Sequence, residues 1–141
     1  MPEYWDKTIT VFNRYEDDIT GLITWYKHTL TNNFWKETNN EIIIGNVKVQ
    51  SNGHIIRIPK NSLYVSPKDW QSLPNDKKAE KFTLQTGDIL YKGETDFIID
   101  EMTAGQRLSD FLAQNPYNIC TIKAVNDDTS LPNAHYFVRG D

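Results

Sequence analysis

Cysteine is almost absent from the chain, histidine is scarce, and positive charge is in deficit. The single Cys120 excludes an intrachain disulfide framework and any multi-cysteine metal site. It sits in the alternating apolar run NICTIKAV, which predicts a buried, inert thiol. The three histidines, His28, His54 and His135, stand alone in predicted strands, without a second His or Cys at ligand spacing. There is no Gly-rich phosphate loop, because Gly87 and Gly93 belong to turn patterns, and Ser62, Ser66 and Ser109 have no neighbouring base. The acidic pairs Asp17-Asp18, Asp100-Glu101 and Asp127-Asp128 flank predicted turns, where carboxylates face water instead of sharing a buried proton. These absences predict a chain that is not an enzyme and needs no metal or cofactor. Lys and Arg total 15 against 19 Asp and Glu, a formal charge of −4, which argues against a dedicated nucleic-acid reader. A protein that DNA merely passes is still allowed. The opening MPEYWDKTIT lacks the basic start and apolar stretch of a signal peptide, and no run approaches the roughly 20 apolar residues of a membrane span. A soluble protein made in a cytoplasm, with no membrane partner, is the expectation.

What the chain does have is alternation and aromatic rings. Its 141 residues suit one domain, residues 1–141, and 12% of them are aromatic. Residues 8–13, 22–30, 34–38, 41–50, 54–59, 89–91, 96–100, 117–125 and 134–139 read as short strands. Ser51-Asn52-Gly53 lies between two of them and predicts a hairpin turn. Residues 60–81 carry two prolines and five lysines and read as a long exposed loop, with a helical turn near 67–73 started by Ser66-Pro67. Near 103–114 the period changes: Leu108, Phe111 and Leu112 form one apolar stripe, and Thr103 with Gln106 fits a capping box. Seven to nine short antiparallel strands with one short helix predict a β-barrel or sandwich.

Two features point to surfaces. Tyr4-Trp5, Trp25-Tyr26 and Phe34-Trp35 are adjacent pairs, so in a strand one ring of each must leave a single core. Outward rings are either rim packing or an interface with a neighbouring protein. The chain also closes on Arg139-Gly140-Asp141, the integrin-binding tripeptide. That signal needs a mobile loop tip, whereas here it ends the strand pattern 135–139, so a structural reading is preferred.

PKDW (67–70), FTLQTGDILYKG (82–93), TIKAVNDD (121–128), LPNAHYFVRG (131–140) and the opening TITVFNRY (8–15) together resemble a phage family. Its members are small proteins encoded among the head–tail morphogenesis genes of tailed phages and prophages of low-GC Gram-positive bacteria. Phe137 departs from the family's usual ending. The resemblance implies a virion neck component of the stopper, adaptor or head–tail connector kind. Such a protein forms a homo-oligomeric ring, a hexamer or dodecamer, between portal or adaptor and the tail terminator or tail tube. DNA passes through the ring without sequence-specific contact, and assembly takes place in the host cytoplasm. On this reading Tyr4, Trp5, Trp25, Trp35, Lys68, Trp70, Leu73 and Arg139 are the candidate interface residues. The 60–81 loop is then mobile until it meets a neighbouring ring. A tail-completion or tail-terminator ring protein is the alternative within this class. A small barrel binding ligand or nucleic acid competes from another class, and a basic stripe along one sheet face would favour it.

Overall fold

Alternating β-branched and apolar residues form most of β1 (Lys7–Glu16), and the same pattern recurs around a closed barrel. The structure is a computed structural model that describes residues 5–130 and 134–141, with side chains described outside 38–44 and 47–52. The other strands are β2 (Ile23–Ile44), β3 (Val47–Pro59), β4 (Ile89–Lys92), β5 (Ile119–Asp128) and β6 (His135–Gly140). They close in the order β1-β2-β3-β6-β5-β4, every neighbour antiparallel, with β4 returning to β1. Closure leaves the barrel without a free sheet edge.

The mainly β class and the barrel stand as read from the sequence, but among the described residues the strands number six, not seven to nine. The difference has a local cause. Asn32-Asn33 does not break the chain: Asn32 takes φ 61° and makes a bulge, so that β1 steps from Lys7↔Asn33 to Ile9↔Leu30 while β2 runs on. Ser51-Asn52-Gly53 is not a turn either, and lies inside β3. The chain reverses at Gly45-Asn46, where Gly45 takes φ 63°, a left-handed conformation that glycine tolerates best. Residues 96–100 are irregular and form no strand.

The barrel interior is filled by Ile9 and Val11 of β1, Ile56 and Ile58 of β3, Leu90, Cys120, Ile122 and Val138, with Phe82 and Leu84 inserted from the connection before β4. A second apolar layer lies outside β1, β2 and β4. There Phe12, Trp25 and Ile89 are covered by Ile99 and by Phe111 of the helix α3 (Leu108–Gln114). Phe111 meets Phe12 edge-on at 5.1 Å and Phe97 at 4.7 Å. Thr103 does not start α3. Its hydroxyl bonds Asp100, and α3 is capped by Asp110, whose carboxylate accepts from the Arg107 backbone N–H at 3.1 Å.

Most of residues 60–81 are exposed, and a helical turn lies where one was expected, but the segment buries two side chains. It holds two short helices, α1 (Pro67–Gln71) and α2 (Asn75–Glu80), packed over the end of the barrel where β1 finishes and β2 begins. Trp70 of α1 is fully buried and meets Tyr26 edge-on at 5.6 Å. Lys78 of α2 is buried too. Its ammonium lies 4.0 Å from the Tyr15 ring centre and donates to the Leu73 carbonyl. Five lysines made the segment look solvated, but an aromatic ring and a carbonyl hold one of them inside.

Candidate interaction surfaces

The four tryptophans proposed as interface anchors are core residues. Trp5, Trp25, Trp35 and Trp70 are 5%, 9%, 6% and 0% exposed. One ring of each adjacent pair must reach solvent only in a fold with a single core. In this fold Trp25 enters the outer layer under α3, while Tyr26 faces Trp70. Trp35 enters the barrel and its indole N–H donates to His54 Nδ1 at 3.1 Å. Trp5 packs edge-on to His135 at 5.4 Å. Leu73 is half-buried, and Lys68 and Arg139 are exposed. Tyr4 lies outside the described residues.

One buried polar node stands out, and its geometry makes it a strut. Asp88 accepts from Asn13 Nδ2 at 2.7 Å, from the Arg14 backbone N–H at 3.0 Å and from the Gln85 backbone N–H at 3.2 Å. Asn13 also bonds the backbone of Thr83 in both directions, at 2.6 and 3.1 Å. The carboxylate thus ties β1 to the turn before β4. Burial pushes its pKa up to about 6, while the donors from Arg14, Asn13 and Gln85 pull it down. Both oxygens are consumed inside the fold, leaving none for a substrate. Burial likewise pushes the Cys120 thiol up to about 12, which removes it as a nucleophile. Among the described residues no group of three or more His, Cys, Asp or Glu is placed to hold a metal.

The outer face of β2, β3 and β6 is different. Cross-strand register sets Phe34, Arg57 and Phe137 in one row, and Ile55 and Arg139 beside each other in the next. The Arg57 guanidinium lies 5.0 Å from the Phe34 ring centre and 5.2 Å from that of Phe137, held between two aromatic rings. Arg139 lies 5.9 Å from Phe137 on the same face, and the exposed Lys36 pairs across from Ile55. The side chains of Arg57, Arg139 and Lys36 make no hydrogen bond or ion pair among the described residues. This is a basic stripe interleaved with rings. Its sequence signal is a ring or aliphatic residue two positions before a cation in three strands: Phe34/Lys36, Ile55/Arg57 and Phe137/Arg139. Of the candidate residues read from the sequence, Arg139 alone falls on this face. Arg139-Gly140-Asp141 is built into the barrel, since Asp141 exchanges backbone hydrogen bonds with Thr121 at 2.9 and 3.1 Å.

The outer face over the start of β2 is acidic and apolar. A cleft of about 340 Å³ opens between Leu22–Trp25 and Ile98–Met102. Ile98 and Met102 at its rim are 61% and 77% exposed. Asp18, Glu94 and Asp96 lie in the flanking segments, exposed and without a hydrogen bond or ion pair among the described residues.

A third feature is the far part of the β2–β3 hairpin. β1 pairs with β2 only as far as Asn33, and β6 pairs with β3 only as far as His54. From Thr38↔Gly53 to Ile44↔Val47, seven residue pairs continue as a two-stranded arm without a third strand among the described residues. At about 3.3 Å per residue the arm reaches roughly 20 Å beyond the barrel.

No curated protein and no solved structure matches the chain. A family model does, over residues 4–141, and the chain belongs to that family, a family of unknown function designated DUF6751.

Proposed function

We propose that the chain is a structural subunit of a tailed-phage neck, a head–tail connector or stopper-type protein. It forms a ring between the portal or adaptor and the tail, and DNA passes through that ring. The arm is the observation that carries this reading. Its sequence holds Ile42, Ile43, Ile44, Val47 and Val49 around the reversal. Consecutive apolar residues are what a strand covered on both faces requires, and an isolated two-stranded hairpin has little stability of its own in water. A neighbouring subunit supplies the missing cover. A ring protein also needs two surfaces of its own barrel for its two neighbours, and the basic stripe and the acidic cleft supply a pair. A tail-completion or tail-terminator ring uses the same parts. The two short helices capping the barrel end take the place of the mobile loop expected from the sequence, so the arm is the better candidate for reaching a neighbour.

The basic stripe also favours a second reading, a barrel that binds nucleic acid. Two observations weaken it. The chain as a whole is negative, and Phe34 and Phe137 hold the Arg57 guanidinium between them, leaving less open ring for base stacking. The test is an arm deletion in which residues 39–51 are replaced by a tight two-residue turn. The variant is expected to melt within a few degrees of the parent and to fail in restoring infectious particles. Normal particle yield from a folded armless variant would refute the reading.

A further inference from the structure

We infer that the stripe on β3 and β6 is a carboxylate receptor, and that its occupant is the acidic side of a second copy of this chain. This rests on the reading of the chain as a self-assembling subunit and names the two surfaces that meet. Phe34 and Phe137 flank the Arg57 guanidinium, so the head group is positioned before any partner arrives. A planar fork of donors held in place matches a carboxylate better than a flexible lysine does. Arg139 and Lys36 add charge on either side, and no carboxylate of the described residues neutralises the three.

The complement lies on the same molecule. The cleft lies over the first half of β2, which pairs with β1, and the stripe lies over the second half of β2 with β3 and β6, so the two are separate outer faces of the barrel. The acidic side offers Asp18, Glu94 and Asp96 next to the exposed Ile98 and Met102. The basic side offers its three cations next to Ile55 and the phenylalanine edges. Charge and apolar surface are thus matched between the sides, and the acidic residues outnumber Lys27, whose ammonium donates to the Thr95 carbonyl at 3.1 Å beside them. A two-fold dimer through the stripe would set cations against cations. Contact between these unlike faces is head-to-tail, the kind that closes into a ring or continues as a filament.

Two charge-reversed proteins test this by sedimentation velocity over a wide concentration range. One carries Lys36→Glu with Arg139→Glu, both exposed, leaving the Phe34–Arg57–Phe137 stack in place. The other carries Asp18→Lys with Asp96→Lys. Wild type is expected to associate, more weakly as salt is raised, and each variant alone to sediment as a monomer with an unchanged melting temperature. An equimolar mixture of the two is expected to recover association, which a folding defect would not produce. A monomeric wild type, variants that associate as wild type does, or a mixture that stays monomeric would each overturn the inference. So would fluorescent single-stranded DNA bound by wild type and released by the Lys36→Glu/Arg139→Glu protein, which would give the stripe to nucleic acid. The neck reading is judged separately, by particle assembly with the armless variant.

Discussion

Replacing Trp70 by alanine separates a plugged barrel from a barrel with a loose insertion. The indole is fully buried between the barrel end and α2, edge-on to Tyr26 at 5.6 Å and with the Lys78 ammonium 5.9 Å from its ring centre. A tryptophan removes about 200 Å² from water, so at ~25 cal/mol/Å² the transfer contribution is about 5 kcal/mol as an upper value. Partial collapse of α1 onto the hole brings the expected cost to about 3–5 kcal/mol, the range for large-to-small aromatic replacements. For a chain of this size that lowers the melting temperature by roughly 10–15 °C. Loss of the plug also frees Lys78, whose pKa burial now holds below that of an ordinary lysine, so α2 is expected to detach with α1. Thermal melting followed by circular dichroism gives the first number, and hydrogen exchange across residues 66–81 gives the second. A melting temperature within two or three degrees of the parent would refute the packing argument and restore a loose loop.

Gly140→Ala is expected to destabilise by about 3 kcal/mol, because a Cβ there would overlap the Thr121 carbonyl oxygen and the Cys120 sulfur where β5 and β6 pair; an unchanged denaturation midpoint would contradict this. Asp88 binds its proton more tightly folded than unfolded, so its contribution is fully present below about pH 4 and is lost as pH rises through about 6. The loss is roughly 3 kcal/mol by about pH 7, and Asp88→Asn should flatten that part of the stability profile in urea titrations at several pH values. Removing residues 134–141 opens the barrel and is expected to prevent folding, whereas Asp141→Ala leaves melting nearly unchanged. A cell-adhesion activity lost in Asp141→Ala alone would contradict the structural account of the ending.

Period-two alternation was enough to read β1, β6 and the barrel class, because those strands satisfy both faces locally. It failed where tertiary register decides. Gly45-Asn46 and Asn52-Gly53 are equally good reversal signals, and the pairing of residues 51–53 with residues 38–40 of β2 selects the first by keeping them in a strand. The outer aromatic layer was hidden because α3 and residues 97–99 cover a face that a single-core barrel would leave wet. That hidden layer turned Trp25 from a surface ring into a core ring, and the end plug did the same for Trp70. The basic stripe was illegible for a related reason: Lys36, Arg57 and Arg139 are far apart in sequence and meet only through the β2–β3–β6 register.

A connector role makes the joining of heads to tails depend on this chain. Negative-stain counting of particles in lysates of the gene deletion should show DNA-filled heads and separate tails, with joined particles restored by the wild-type chain. Joined, infectious particles in normal numbers without the chain would contradict a connector role.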